Sequence, residues 1–167
     1  MNIAIKNAGL VLLNNFLPML FERTGLTKEH QFIDAEAQVK AVHYLQYLAT
    51  GESQAEDAFL SLNKLLCGLA PTQQVSQDAV IPQAHKQLMI GMINVVIGYW
   101  HAIGNCPVSG FREVWLMRDG ILTENDEKCE LKVERRAYDV LLNQVPFPFS
   151  VIKYAWMPKA LHVNWPY

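Results

Sequence analysis

The side chains with the means to ligate a metal or to act as nucleophile and base are five histidines and three cysteines: His30, His43, His85, His101, His162, Cys67, Cys106 and Cys129. Their spacing supplies neither chemistry. No two histidines stand three or four residues apart on a helix, there is no HExxH, and no CxxC pair exists for a zinc ribbon or a thioredoxin-like site. Ser109-Gly110 follows Cys106-Pro107-Val108, which is not the elbow of a hydrolase nucleophile, and neither a P-loop nor a GxGxxG is present. Glu52, Glu56 and Asp57 cluster in a short connector and read as a solvated loop. Glu134-Arg135-Arg136 beside Tyr138-Asp139 is the dense polar patch near apolar strands; a surface ion-pair group is the stronger reading there, an active site the weaker. His43 falls on an apolar helix face, where a hydrogen-bonded core histidine outweighs a ligand.

The elements that hold these groups are helical first and extended later. Residues 3–5 suit a short strand or an extended lead-in. From 8 to 24, Leu10, Leu13, Leu17, Leu20 and Phe21 recur at helical spacing; Pro18 predicts a kink or a fresh start near Leu17, and Gly25 a cap. Asp34 suits the N-cap of a helix running to Thr50 and closed by Gly51. A helix over 58–67 ends at Gly68 and Pro71. Both of these helices are so apolar that each should be buried around much of its circumference. Pro82 suits the first turn of a long helix reaching about Ile103, and 108–118 reads as a helix of about three turns. Beyond Asp119-Gly120 the pattern changes. A strand begins at Ile121-Leu122, and Cys129, Leu131 and Val133 alternate with Glu130, Lys132 and Glu134 as in a half-buried strand. Residues 138–145 fit either a helical turn or a crossing loop, and strands follow at 149–156 and 161–165, kept short by prolines.

About five helices packed with a small, mostly antiparallel C-terminal sheet of three to four short strands make an α+β fold. One domain over residues 1–167 is expected, helical over residues 1–118 and strand-rich over residues 119–167. Charged residues make up 18%, below the usual 25% or so, which implies either a large core or a surface covered by a partner. The net charge of −2 comes with interspersed signs and no basic stripe, which argues against nucleic acid. Scattered cysteines suit small buried hydrophobes in a reducing compartment. No basic segment precedes an apolar one in the first seven residues, so a signal peptide is not expected. The stretch 88–100, with Asn94 and two glycines, is about half the length a bilayer needs, and no membrane insertion is expected.

Several words of this text fix polar residues inside apolar runs, chiefly His43-Tyr44-Leu45-Gln46-Tyr47-Leu48 and Asn63-Lys64-Leu65-Leu66-Cys67-Gly68. Together with 7–13, Phe16-Leu17-Pro18, 131–135, 138–142, Trp156-Met157-Pro158 and Leu161-His162-Val163, they resemble the contractile injection system tape measure protein family over nearly the whole chain. The matching positions carried as motif residues are His43, Gln46, Asn63, Lys64, Glu134, Arg135, Tyr138 and Asp139. The resemblance implies a non-enzymatic component of a phage-tail-like particle, set in the lumen of the inner tube, that determines how long tube and sheath grow. It implies no cofactor. The implied partners are the inner tube, the hub and spike, and further copies of the chain, with assembly in the cytoplasm and a final place inside the particle.

A ruler needs length. Wholly helical, 167 residues would span roughly 250 Å, and as a folded domain they reach roughly 30–35 Å. The expectation is therefore the globular anchoring region of a tape measure protein, cut from a longer chain or encoded as a short relative. The late aromatics Tyr154, Trp156 and Trp165 are the candidate interface, with packing of the sheet on the helices as the equal alternative. Two other classes stand beside this one: a chaperone or adaptor of the same system that binds a helical segment, and an enzyme with a site near His43, Glu134 and Arg135.

Overall fold

A computed structural model describes residues 1–77 and 79–167. Strand β1 (Asn2–Ile5) leads into 3₁₀ turns over Ala8–Phe16, and α1 (Leu17–Arg23) starts afresh with Pro18 in its first turn, where no backbone donor is missed. The tight turns bring Gly9 against another backbone: a Cβ there would lie 1.7 Å from the Trp115 carbonyl oxygen. A short hairpin, β2 (Thr27–Lys28) and β3 (Gln31–Phe32), follows, and no signal in the sequence announced it. Its two connecting residues, Glu29 and His30, both have positive φ, at 54° and 64°.

Helix α2 (Ala35–Thr50) begins as expected, with the Ala37 N–H donating to Asp34 Oδ1 at 2.7 Å. It ends at Gly51 with φ 84°. Arg112 finishes the cap, donating from Nε to Leu48 O and from Nη2 to Tyr47 O, both at 3.1 Å. A 3₁₀ turn, Asp57–Leu60, feeds α3 (Ser61–Leu66), every residue of which is buried. Helix α4 (Gln83–Tyr99) stops before the expected Ile103, where His101–Ile103 forms a separate 3₁₀ turn. The three-turn helix expected over 108–118 is instead α5 (Val108–Phe111) followed by a π-helical turn, Arg112–Leu116. There the Met117 N–H reaches back five residues to Arg112 O at 2.8 Å, and the widened turn buries Trp115 and Leu116 together.

The strands are β4 (Gly120–Glu124), β5 (Cys129–Val133), β6 (Val151–Ile152) and β7 (Leu161–Asn164), with a 3₁₀ segment Ala137–Gln144 between β5 and β6. The class is α+β. The sheet is larger than the C-terminal text implied, with five strands in the order β1-β4-β5-β7-β6. Its first edge comes from the N-terminus, because Ile3 and Ile5 need the same apolar face as Leu122. It is mixed, since β5 and β7 run parallel while the other neighbours are antiparallel. The strand expected over 149–156 shrinks to the two residues of β6, as Tyr154, Trp156 and Met157 turn away to pack on the helices. One row, Ile3, Leu122, Leu131 and Val163, crosses four strands and faces a continuous apolar cluster that includes Leu45 of α2 and Leu65 of α3.

Candidate functional site

Two polar clusters sit inside this apolar body. In the first, Val42 and Gln46 lie one turn apart on α2 and present a carbonyl and a side chain to α3. Asn63 Nδ2 donates to Val42 O at 3.0 Å and to Gln46 Oε1 at 3.2 Å. Asn7, at the end of β1, donates to Asn63 Oδ1 at 2.7 Å and to Gln46 Oε1 at 3.2 Å. All three amides are buried, and Asn7 Oδ1 has no partner among the described residues. The triad therefore specifies how the N-terminal segment, α2 and α3 meet, at the expense of one unpaired acceptor.

The next residue on α3, Lys64, points the other way. It is 1% exposed, and its Nζ meets Asp57 Oδ2 at 2.7 Å. The other Asp57 oxygen accepts from the Val75 N–H at 3.2 Å. Burial raises the Asp57 carboxyl, and the bonds from Lys64 and Val75 outweigh it, so the group lies below its ordinary value. This corrects the reading of Asp57 as part of a solvated loop, whereas Glu52 and Glu56 are exposed: a buried ammonium on α3 needs a carboxylate, and Asp57 supplies it. His43 is wholly buried between two backbone carbonyls, with Nε2 2.6 Å from Ser76 O and Nδ1 3.3 Å from Ser53 O. It is a core histidine that ties two loops to α2.

The second cluster centres on Arg118, which no sequence motif had marked. Its guanidinium grips Asp139 with two bonds, Nη1 to Oδ1 at 3.0 Å and Nη2 to Oδ2 at 2.6 Å, and donates to Glu134 O at 3.0 Å. Three rings surround it, with centroids 5.1 Å (Trp165), 5.6 Å (Tyr138) and 5.9 Å (Trp115) from the guanidinium carbon. Asp139 also accepts from the Trp165 indole and the Arg136 N–H, both at 2.9 Å. Burial pushes its carboxyl up, but the bonds from Arg118, Arg136 and Trp165 together hold it below the ordinary carboxylate value. Neither member of the pair is exposed.

These groups do not compose a reaction centre. His43 is sealed in the helical core, whereas Glu134 and Arg135 are exposed and line a shallow depression with Lys6, Asp119 and Lys132 on the far side of β5. No cluster of histidine, cysteine and carboxylate side chains fit to hold a metal occurs among the described residues. What the geometry does is position: one cluster ties the N-terminal segment to α2 and α3, and the other joins the π-helical turn to the segments after β5 and β7. The model of the contractile injection system tape measure protein family matches residues 1–165, essentially this whole arrangement. The chain belongs to that family. No curated protein and no solved structure gives a significant match.

For this tape measure family member the eight motif positions divide by environment. His43, Gln46, Asn63, Lys64 and Asp139 are buried, Tyr138 is half-buried over Arg118, and Glu134 and Arg135 reach solvent. Asn7, Asp57 and Arg118 complete the clusters. Asn7 stands within the matching text, whereas Asp57 and Arg118 carry no local signal, since each partner lies elsewhere in the chain. The three candidate interface aromatics separate as well. Trp165 is only 4% exposed and belongs to the core, as its bond to Asp139 requires. Trp156 is half-buried, donating to Leu66 O at 2.8 Å and making tilted ring contacts with Phe32 and Tyr154. Tyr154, also half-buried, donates to Asn14 O at 2.5 Å, and burial raises its hydroxyl pKa well above the ordinary value.

Proposed function

We propose that this structural component of a contractile injection system is the globular anchoring region of a tape measure protein, tethering the ruler that sets tube and sheath length. The observation that carries the reading is the family match over residues 1–165 joined to described residues that fold into short elements and form no extended rod. The longest helix among the described residues, α4, has 17 residues and spans about 25 Å. A region of this shape serves as a fixed end. The docking face is the half-buried rim of Tyr154, Trp156 and Phe32; internal hydrogen bonds hold the Tyr154 hydroxyl and the Trp156 indole, and Phe32 packs against the Trp156 ring. Its partners are the inner tube and the hub and spike, met in the cytoplasm during assembly, and the region ends inside the particle. The region binds no nucleic acid and carries out no catalysis.

The test is capture of separately expressed tube and hub–spike components by the chain, with masses from light scattering. Binding to either supports the anchor, and Trp156→Ala should weaken it at least tenfold. A monodisperse monomer that captures neither would overturn it. An adaptor that holds a helical segment is the second reading, favoured by an open groove between α1 and α4 lined by Leu20, Leu88 and Met92.

A further inference from the structure

The groove between α1 and α4 is an apolar feature of the surface that internal packing leaves unexplained. It encloses about 360 Å³. Met19 from α1 and Val95 from α4 project beside it, 40% and 47% exposed. Its floor includes Gly91, where an added Cβ would meet nothing within 4 Å. A glycine inside a helix costs about 1 kcal/mol relative to alanine, and here no contact within the chain makes use of the missing side chain. Gly98, two turns on, is equally open. A helix surface bared in this way lets a second helix approach closely. Both walls of the groove are helices, so the depression offers ridges and grooves of side chains rather than a strand edge.

Charge narrows the occupant further. Arg23 is the charged side chain lining the groove; it is exposed, and no acid pairs with it among the described residues. The α4 segment has no carboxylate to offer, since the sequence contains neither Asp nor Glu from residue 79 to residue 112. A second copy laid α4 against α4 would therefore bring no counter-charge from that helix. An occupant from outside, with an apolar stripe and a carboxylate at one end, would complement both features.

We propose that this groove is a docking site for an amphipathic α-helix of a partner protein, with a carboxylate of that helix paired to Arg23 and its small apolar side chains seated over Gly91 and Val95. The proposal rests on the adaptor reading and adds the chemistry of the helix. It is tested with a displayed library of 18-residue helices, the apolar face varied among Ala, Leu, Ile and Met and the flanking positions among Glu, Lys and Gln. Selection on the intact chain should enrich helices carrying Glu at one end of the stripe. Arg23→Glu should exchange that Glu for Lys. Gly91→Leu and, independently, Val95→Lys should each weaken the selected peptides at least tenfold without lowering the melting temperature. Enrichment of no helix would overturn this proposal and the adaptor reading together. Helices that bind with no charge preference, or that are indifferent to Gly91→Leu and Val95→Lys, would overturn the proposal and leave the adaptor reading standing. A dimer in light scattering that Gly91→Leu dissociates would replace the partner helix with a second copy.

Discussion

Arg118 and Asp139 are joined by two hydrogen bonds, at 3.0 and 2.6 Å, with both side chains fully withdrawn from solvent. Arg118 follows the π-helical turn, and Asp139 lies in the 3₁₀ segment after β5. Trp165, beyond β7, completes the contact. The pair therefore fastens the end of the π-helical turn to the segments that follow β5 and β7. Its three aromatic walls exclude water, so the attraction is weakly screened while the penalty for losing one partner is large.

Asp139→Asn should destabilise the protein by about 3–5 kcal/mol, since it leaves an uncompensated guanidinium in the core. Replacing both partners, as in Arg118→Met with Asp139→Leu, should cost clearly less than the single change. Urea unfolding of the three proteins measures both. Equal losses for the single and double variants would show that packing, not charge, holds this joint.

The same carboxyl sets an acid limit. Its folded pKa lies below the ordinary 3.8, so the unfolded chain takes up protons first as pH falls. The stability it contributes is complete above that ordinary value and disappears as pH drops through the folded pKa. Asp57 is shifted in the same direction and adds to the effect. Wild-type stability should fall steeply below about pH 4, and Asp139→Asn should flatten that slope. Unfolding curves between pH 2 and pH 6 provide the comparison.

The Lys64–Asp57 pair should respond unequally to its two deletions. Lys64 is 1% exposed whereas the Asp57 side chain is 35% exposed. Lys64→Met keeps the buried stem and leaves a carboxylate that water can reach, so a loss of about 1 kcal/mol is expected. Asp57→Ala strands a buried ammonium and should cost about 3 kcal/mol or more. A double-mutant cycle in chemical denaturation resolves the coupling.

Gly9→Ala should be among the most damaging small substitutions. The new methyl would stand 1.7 Å from the Trp115 carbonyl oxygen and 2.6 Å from the Leu116 Cα, neither of which is a flexible side-chain end. A loss of about 3 kcal/mol or more is expected, read as a fall in melting temperature or as insoluble expression.

Replacing Glu29-His30 by Asn-Gly should act the other way. The two residues link Lys28 to Gln31 with positive φ at both, the geometry that Asn-Gly adopts at least cost in a two-residue hairpin connection. A gain of about 1 kcal/mol is expected, visible as a higher melting temperature with an unchanged circular dichroism spectrum.

Much of the architecture was written in signals that act over a few residues. Asp34 caps α2 through a donor three positions on, Gly51 ends that helix with a backbone few other residues tolerate, and Pro18 opens α1. The alternation in β5 named its buried face correctly, and the mixture of helices and strands led to the α+β class. Such features depend on torsions and on neighbours in the same element, so a linear text carries them. The resemblance that named the family also lay in the text, in polar residues held within apolar runs.

Other features depended on which distant surfaces come together. Asn7 meets Asn63 across 56 positions, Arg118 meets Asp139 across 21, and the Trp156 indole reaches Leu66 across 90. Trp165 is core and Trp156 a half-open rim, although both are tryptophans in aromatic, proline-punctuated text. The hairpin at 27–32 left no mark in the text because Glu-His is no turn signature; packing of Phe32 against Phe21 and Trp156 holds it there instead. A buried charge or amide accepts any partner of matching polarity within reach, and reach is a property of the packed chain. Local chemistry therefore decided the starts and stops that a cap, a proline or an alternation marks, and packing decided the remaining element bounds, which polar groups became a joint, and which aromatics stayed open.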